Sequence, residues 1–370
     1  MNMRGIGISS LMVCLLFSSA VLALSPDVPV QHVVVYSEEG RFCGWPANQG
    51  IWSWGNEIAV GFKLGYWTEK KGHDYDEKRP SYEVISRSKD GGHSWVLEMH
   101  LDDLNSRMPV IEVPEDGFDF SNPDFAMAIR RGVYYISYDR GRNWAGRYEF
   151  PRFMDRKSHT RTDYIINGKS DCMFFAAVED TDKREGVPLL ARTTDGGKNI
   201  DFVSWIGPDH YEESWAIMPA AVRCSKEKLV VVLRQKKEGV GSLPVYESTD
   251  NGNTFQYLSN AAVTGIHNGN PPSNLIRLDD GSLCASYCYR SEPMGLRAVI
   301  SRDEGKSWGE PAVLREDARE WDMGYPRMVK RPDGKLFAAY YYTTEKIKHQ
   351  HIAGTIFDPE RVFNKQSAAD

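Results

Sequence analysis

The stretch SRDEGKSW at residues 301–308 decides the fold of this chain, because its form recurs at a nearly constant interval. A hydroxyl residue is followed by Asp after two positions, by Gly after two more and by an aromatic residue after a further three. The Asp residues of successive copies are 49, 56, 55 and 53 positions apart, close to the repeat length of four-stranded β-propeller blades. The other copies are SKDGGHSW at 88–95, SYDRGRNW at 137–144, TTDGGKNI at 193–200, which lacks the aromatic residue, and STDNGNTF at 248–255.

The chemistry of this box suits a hairpin turn. Asp tolerates a left-handed backbone and accepts hydrogen bonds from the N–H groups that follow it, and Gly adopts a positive φ without steric cost. The aromatic side chain then begins the next strand and buries a large apolar surface. One copy would be an ordinary turn, but five copies at a regular interval indicate a structural device. We therefore assign no catalytic role to the Asp residues of the boxes.

The motif resembles the Asp box of the sialidase superfamily, also called the BNR repeat, and the resemblance extends over nearly the whole chain after residue 30. It implies an all-β fold, a six-bladed β-propeller of four-stranded antiparallel blades with Asp-box turns. We expect a single domain at residues 24–370. The resemblance also implies a secreted exo-glycosidase that hydrolyses a terminal acidic sugar from glycans, as exo-α-sialidases do.

The strand patterns agree with this fold. The β-branched residues 33–36 precede the first repeat, and we expect them to close the ring by pairing with the last blade. Blade two is compressed, and its inner strand is hard to place. Blade six, at about 326–357, has no box. No segment shows helical periodicity.

The first 23 residues have the pattern of a secretory signal peptide, with Arg4 before an apolar run at 11–24. The run is short for a membrane span, so we expect a secreted or periplasmic protein with no membrane insertion after cleavage. The net charge is −6 and no basic run occurs, which argues against nucleic acid as a partner. We expect a monomer that acts on a glycan or oligosaccharide.

The cysteines give no sign of a metal site. Five remain after the predicted cleavage, so at least one is free or pairs outside the chain. None is in a C-x-x-C pair and no His cluster accompanies them, which argues against zinc. Buried structural thiols are the expectation, and no cofactor or metal is predicted.

The chemistry of a propeller is expected at one mouth of its central channel, away from the boxes. The resemblance implies a tyrosine nucleophile, since sialidases use a Tyr that a Glu activates. GYPRM at 324–328 resembles the family's Gly-Tyr-Ser segment, which makes Tyr325 the nucleophile. GWPA at 44–47 partly matches the family's Tyr/Phe-Arg-Ile-Pro motif. Gly44 stands at the position of the first arginine, and Arg41 is the nearest substitute.

The same resemblance places the acid/base Asp in the long polar insertion of blade one, where Asp74 and Asp76 are available. The segment from NPP at 270–272 onwards resembles the family's stretch with the helper Glu and the second arginine, although no Glu stands near residue 270. Arg290 and Arg297 are the best matches for the second and third arginines. Arginines suit the binding of a substrate carboxylate, because the fork of the guanidinium group matches its two oxygens.

Further candidates come from the residues themselves. Arg161 and Asp163 alternate at strand spacing, so they share a face and form either a substrate clamp or a structural ion pair. His267 lies in a Gly-rich stretch before an inner strand and is an alternative acid/base for other chemistry. Trp45 is a candidate for stacking on a sugar, with burial as its other role, and Arg327 is a candidate for substrate binding.

Three functions remain open at this stage. The first is a sialidase-type exo-glycosidase. The second is a propeller enzyme that acts on a uronate or a deoxysugar, by hydrolysis or by elimination with a His and a Tyr, and the absent first arginine and helper Glu favour it. The third is a glycan-binding propeller without catalysis, because a fold alone does not fix a function.

Overall fold

The computed structural model describes residues 29–70, 73–100, 109–130, 132–159, 161–181, 186–266 and 270–364. The predicted signal peptide and His267 lie outside these residues. No helix in the described part of the chain is long and apolar enough to cross a membrane.

The described residues form six antiparallel sheets that follow one another along the chain as the blades of a propeller. The chain begins with β1 (Val30–Tyr36), and blade one then has β2 (Arg41–Gly44), helix α1 (Pro46–Gln49), β3 (Ile51–Trp54), β4 (Glu57–Tyr66), β5 (Tyr82–Ser88) and β6 (Val96–His100). Blade two has β7 (Ala126–Arg130), β8 (Val133–Ser137) and β9 (Ala145–Glu149), blade three has β10 (Tyr164–Ile166), β11 (Cys172–Val178), β12 (Val187–Thr193) and β13 (Asp201–Trp205), and blade four has β14 (Ser214–Arg223), β15 (Leu229–Lys237), β16 (Val240–Ser248) and β17 (Gln256–Ile266). Blade five has β18 (Ser273–Arg277), β19 (Leu283–Tyr289), β20 (Gly295–Ser301) and β21 (Ala312–Arg315), and blade six has β22 (Gly324–Lys330), β23 (Leu336–Tyr342) and β24 (His351–Phe357), followed by helix α2 (Pro359–Asn364).

The ring is closed by the first strand of the chain. Blade six has the order β22-β23-β24-β1, so its outer strand comes from the N-terminal end and the other three from the C-terminal end. The pairing of β1 with β24 runs from Val30↔Phe357 to Tyr36↔Ile352. The six-bladed, all-β prediction and the predicted closing strand are both confirmed.

Two blades depart from the regular four-strand pattern. In blade one, β2 pairs with one end of β4 and β3 with the other, and the single-turn helix α1 separates them. In blade two, the described residues show three strands, β7 to β9, and no strand on the inner side of β7. The helices α1 and α2 have four and six residues, too few for a periodic sequence signal.

Each box has the same hydrogen bonds, as the box at 301–308 shows. Ser301 donates to Asp303 Oδ1 at 2.8 Å, and the backbone N–H of Ser307 donates to the same oxygen at 2.9 Å. Burial opposes the negative charge of Asp303, but hydrogen bonds from Ser307 and Ser301 outweigh it and lower the pKa of Asp303 to about 2. The Asp303 carboxylate is therefore engaged in hydrogen bonds within its own turn.

The boxes lie on the face of the propeller opposite to the expected site. Each box joins the third strand of its blade to the outer strand. Because successive antiparallel strands alternate in direction, the loops that enter the inner strands and the loops that join second to third strands lie at the other face. We call that other face the mouth.

Neighbouring blades share apolar clusters, because the side chains of one strand alternate between its two faces. Three consecutive tyrosines end β23, and all are fully buried. Tyr341 packs in the cluster that reaches into blade one, whereas Tyr340 and Tyr342 pack in the cluster shared with blade five. Side chains alternate across a strand, so one run of large residues joins two interfaces. The cysteines described, Cys43, Cys172, Cys224, Cys284 and Cys288, are free thiols, and all but Cys224 are buried.

A comparison of two neighbouring valines tests the closure by β1. Val35 is 4% exposed and packs in the cluster shared with blade one, whereas Val34 is 48% exposed. We expect Val35→Ala to lower the free energy of unfolding by about 1–3 kcal/mol, through lost burial and a residual cavity. Val34→Ala should change it by less than about 0.5 kcal/mol. Equal losses in urea denaturation would contradict the closure.

Candidate functional site at the mouth

Unusual backbone marks the mouth. Trp45, Met218 and Tyr325 have φ values of 58°, 55° and 56°, a left-handed region that bulky residues rarely adopt. The register of β14 shifts between Ile217 and Ala220, and that of β22 between Gly324 and Arg327, so two of these residues lie in bulges. Bulges redirect side chains, and strained residues of this kind concentrate at functional sites.

Tyr325 is held by an arginine that the sequence analysis did not select. Arg234 Nη1 donates to the hydroxyl oxygen of Tyr325 at 3.2 Å, and the Arg234 guanidinium lies over the rings of Trp215 at 5.0 Å and Tyr325 at 5.6 Å. Arg234 Nε also donates to the backbone oxygen of Asn270. A fixed cation beside the phenol oxygen stabilises negative charge that develops there.

A buried carboxylate connects three further side chains at the mouth. Asp322 is fully buried, and its Oδ1 accepts a hydrogen bond from the Tyr341 hydroxyl at 2.7 Å and lies 2.6 Å from His73 Nδ1. Arg290 Nη2 donates to the same tyrosine oxygen at 3.0 Å. The side chain of His73 is 41% exposed, so a chain of polar contacts runs from buried Arg290 to an imidazole at the surface. The ring of Tyr341 is 5.9 Å from that of Tyr325.

Three carboxyl groups share one donor beside this chain. Gln350 Nε2 is 3.5 Å from Asp74, 3.1 Å from Glu320 and 3.2 Å from Asp322. A side-chain amide has two hydrogens, so it cannot satisfy three carboxylates at once. We call Asp74, Glu320 and Asp322 the acid cluster.

The acid cluster retains a proton near neutral pH. Burial, followed by the nearby charges of Asp74 and Asp322 and by a hydrogen bond with Asp74, raises the pKa of Glu320 to about 7. Like charges in a poorly solvated place cannot all ionise together. Glu320 is half-buried, so this proton is close to the solvent.

Aromatic rings surround the exposed imidazole. The ring centroid of Trp45 is 5.3 Å from that of His73 in an edge-on arrangement, and that of Trp321 is 6.0 Å away. Trp321 also lies 5.4 Å from the Arg290 guanidinium. Large rings beside polar groups provide a surface on which the apolar face of a sugar can stack.

The structure brings four of the predicted site residues together. Tyr325 and Trp45 belong to or pack against one apolar cluster, Asp74 donates its backbone N–H to Asp322 at 3.4 Å, and Arg290 reaches Tyr341. The sequence predicts Tyr325 as the nucleophile, Trp45 as a surface on which a sugar stacks, Asp74 as an acid/base residue and Arg290 as the second arginine.

Arg327 and Asp163 form a buried ion pair instead of facing the mouth. Arg327 Nη1 donates to Asp163 Oδ2 at 2.8 Å, and Nη2 donates to the backbone oxygens of Ala47, at 3.1 Å, and of Thr162. Burial raises the pKa of Asp163 although Arg327 opposes the shift. The guanidinium therefore joins blades one, three and six, and Asp163 has Arg327 as its ion-pair partner.

Three other predicted residues are engaged elsewhere. Arg41 donates to the backbone oxygen of Gly65 at 2.6 Å and lies over Tyr66 at 4.5 Å. Asp76 accepts a bond from the backbone N–H of its neighbour two residues on, at 3.0 Å. Arg297 is on the third strand of blade five and lies 3.8 Å from the ring centroid of Tyr289.

Arg161 is half-buried just before β10, next to the residues that Arg327 contacts. His267 lies outside the described residues, so its role as an alternative acid/base stays a prediction. Within the described part of the chain, no group of three or more His, Cys, Asp or Glu side chains is arranged to hold a metal ion.

Several residues of the mouth were missed by sequence reasoning. Glu320 and Asp322 flank a Trp immediately before the Gly-Tyr segment, a signal that was available in the sequence. Arg234 directly follows the apolar run 229–233, where a charged residue is notable. Tyr341 and Gln350 gave no comparable signal, since one is within an aromatic strand and the other in a polar loop.

The comparisons with known proteins agree on the fold. A family model described as a BNR repeat-like domain matches residues 122–338. No curated protein sequence matches the chain.

Three solved structures illustrate the likeness. A protein of unknown function from Dyadobacter fermentans is 21% identical with a TM-score of 0.68, over 89% of this chain and 98% of its own. An α-L-arabinanase from Penicillium chrysogenum is 14% identical with a TM-score of 0.59, over 90% and 98%. A sialidase from Trypanosoma rangeli, bound to sialic acid, is 13% identical with a TM-score of 0.58, over 94% of this chain and 61% of its own.

At such identities these structures show a shared fold alone, whereas the family model covers more than half of the chain. The chain therefore belongs to the BNR repeat-like domain family of sialidase-like propellers.

Proposed function

We propose that this protein is an exported glycosidase that removes a terminal acidic sugar from glycans at the mouth. The observation that carries the proposal is the Tyr325 phenol, set in strained backbone and hydrogen-bonded by the Arg234 guanidinium, next to an acid cluster that holds a proton. Two proteins of similar structure, an arabinanase and a sialidase, support action on glycosidic bonds. Export through the segment 1–23 is part of the same proposal.

In the first step, the oxygen of Tyr325 attacks the anomeric carbon as the glycosidic C–O bond breaks, and the phenol proton passes to solvent water at the mouth. Arg234 stabilises the charge on the attacking oxygen, because its Nη1 is 3.2 Å away. The phenol is neutral before attack, so it does not repel a carboxylate on the sugar as an ionised Asp or Glu would. This is a reason for an enzyme of acidic sugars to use a phenol.

The proton that the leaving oxygen needs comes from Glu320. Its pKa of about 7 leaves a substantial protonated fraction at neutral pH, and Asp74 shares the hydrogen bond that holds this proton. After the leaving group departs, Glu320 accepts a proton from the water that cleaves the glycosyl–tyrosine bond, and the released Tyr325 oxygen takes a proton back from solvent, which restores both residues. Asp74, which the sequence predicts as an acid/base residue in the blade-one insertion, thus acts together with Glu320.

The substrate carboxylate would be held by cations at the mouth. Arg234 is half-buried and beside the nucleophile, and Arg290 is buried behind Trp321 with its N–H groups on Met323 and Tyr341. Arg234 is therefore the better candidate for direct contact, and Arg290 for orienting the polar chain. Trp45 and Trp321 offer faces for the sugar ring.

A second function, elimination on a uronate, is supported by the His73–Asp322 pair. The two side chains are 2.6 Å apart, the carboxylate is fully buried and the imidazole is 41% exposed. A buried carboxylate beside the imidazole fixes the orientation of the ring, which is the arrangement of a general base. In this chemistry His73 would remove the proton next to the sugar carboxylate, and a phenol would protonate the leaving oxygen.

The two functions give different products from a common panel of substrates. Purified protein should be assayed on a fluorogenic sialoside, a fluorogenic arabinofuranoside and a uronate polysaccharide. Release of a saturated sugar supports the hydrolase, whereas a product with the ultraviolet absorbance of an unsaturated uronate supports elimination. Glycan binding without turnover on any substrate would contradict both and leave the non-catalytic function.

Replacement of Tyr325 by Phe tests the nucleophile. We expect kcat to fall on the order of 10³-fold, because the attacking oxygen is lost while the packed ring remains. The matched control is Tyr257→Phe, since this tyrosine is 60% exposed on the outer strand of blade four. Full turnover by Tyr325→Phe on the cleaved substrate would remove Tyr325 from the mechanism.

Replacement of Glu320 by Gln tests the acid through two pH profiles. Wild-type kcat should decline as pH rises through about 7, where Glu320 loses its proton, and the variant should lose about 10²–10⁴-fold in kcat together with this dependence. Because the pKa of Glu320 is raised, the folded state binds an extra proton between about pH 4.5 and pH 7. The free energy of unfolding of the wild type should therefore decrease as the pH rises through this window.

The same decrease should be absent or smaller in Glu320→Gln, which thermal unfolding at several pH values can measure. Glu316→Gln is the matched control, because this exposed glutamate is in the same loop. An unchanged kcat profile in Glu320→Gln would show that another group supplies the proton.

A further inference from the structure

A second cavity lies beside the mouth, at the outer end of the interface between blades five and six. Its volume is about 560 Å³, within the range of roughly 300–1,000 Å³ that is usual for small-ligand sites. Its walls come from the end of β21, from β1 and from two mouth loops. The lining residues on which the inference rests are His351, Arg315, Asp317, Arg319, Lys346 and Ile347.

The floor of the cavity has a polar atom without a partner. His351 is 1% exposed, and its Nδ1 has no hydrogen bond of good geometry with any described residue, while the backbone of His349 interacts with the ring and opposes the pKa shift. Burial, followed by the charge of Arg315, lowers the pKa of His351 to about 4, so its imidazole is neutral at pH 7. A buried polar atom without a partner is unfavourable, and a ligand hydroxyl or carboxyl group would satisfy it.

The charges around the cavity favour an anionic ligand. Arg315 lies 4.3 Å from the ring centroid of Tyr342 and is paired with Asp317, which fixes its guanidinium. Arg319 and Lys346 are exposed at the rim, and Asp317 and Glu345 are the carboxylates of the lining. Three cations therefore face two carboxylates, and the excess of one positive charge is placed on long exposed side chains.

The cavity also has an apolar wall, which a carbohydrate can use. Val33, Ala318 and Ile347 line it beside the charged groups. A sugar ring presents C–H groups on its faces and hydroxyl groups at its edges, so a mixed lining of this kind matches a sugar better than an inorganic anion. Sites for small molecules commonly combine apolar walls with a few placed polar groups.

Two loops join this cavity to the acid cluster. Arg319 lines the cavity and Glu320, the next residue, belongs to the cluster. In the other loop, Gln350 contacts the cluster and His351, the next residue, lines the cavity. Neighbouring Cα atoms are about 3.8 Å apart, so the two sites are separated by the width of these loops and not by a blade.

We propose that this cavity is a second subsite, which holds an acidic sugar unit of the same glycan whose terminal sugar enters the mouth. The inference rests on the proposed function for the link to cleavage, although binding in the cavity does not depend on it. It makes the substrate a glycan with more than one charged unit. The neutral His351 meets a hydroxyl or carboxyl oxygen, and Arg319 and Lys346 neutralise the charge.

Titration of glucuronate into the full chain tests the subsite, with glucose as the uncharged probe. The Tyr325→Phe variant should be used, so that turnover cannot interfere. We expect glucuronate to bind more tightly than glucose, with affinity that decreases as salt is added. Lys346→Ala should weaken glucuronate binding about two- to fivefold, and His351→Gln about two- to tenfold.

Lys348→Ala is the matched control, because Lys348 is exposed in the same loop but does not line the cavity. Its affinity for glucuronate should equal that of the parent variant. If Lys346→Ala and His351→Gln both bind as the parent does, while Arg234→Lys binds less, glucuronate occupies the mouth and the subsite is wrong. The Lys346 test holds even if His351→Gln fails to fold, since Lys346 is at the surface.

Kinetics separate the subsite from the proposed function. With active enzyme, Lys346→Ala should raise KM for a longer acidic oligosaccharide and leave kcat, as well as KM for a single-sugar fluorogenic substrate, unchanged. If wild type and Lys346→Ala have equal KM values on the longer substrate, the cavity does not hold a unit of the glycan that is cleaved. A protein that binds glucuronate in the cavity but cleaves no glycoside would keep the subsite and overturn the glycosidase proposal.

Discussion

The pairing of β1 with β24 is the constraint on which the mouth depends. Without β1, blade six would have a bare strand edge, and its contact with blade one through Val35 would be lost. The acid cluster needs this contact, because Asp74 comes from blade one whereas Glu320 and Gln350 come from the two sides of blade six. Closure of the ring thus assembles the chemistry from the two ends of the sequence.

The mouth places unfavourable features together in a structure that is otherwise well packed. Left-handed Trp45, Met218 and Tyr325, a shared amide on three carboxyl groups, and a buried Asp322 all cost stability. The boxes on the opposite face show the reverse, since their carboxylates are fully hydrogen-bonded and strongly acidic. The features that stabilise the fold and those that cost stability therefore lie on opposite faces of the same blades.

The sequence predicts the fold because the hydrogen bonds that hold the Asp of a box are local: Asp303 accepts from Ser301 and Ser307. It predicts Tyr325 for the same reason, from a short segment. The acid cluster is not local, since Asp74 meets Asp322 across 248 positions. Arg297 illustrates the remaining limit, because a match in chain position does not fix where a side chain points: it lies on the third strand of blade five, and its guanidinium is over the ring of Tyr289.

The strand that closes the ring also forms a wall of the blade-five/six cavity, since His32 and Val33 of β1 line it. Opening of the ring and emptying of the cavity are consequently coupled events. Any occupant that requires the closed wall stabilises closure by the same free energy that closure contributes to its binding. A glycan bound there, as proposed, would stabilise closure of the ring and raise the protein's resistance to unfolding.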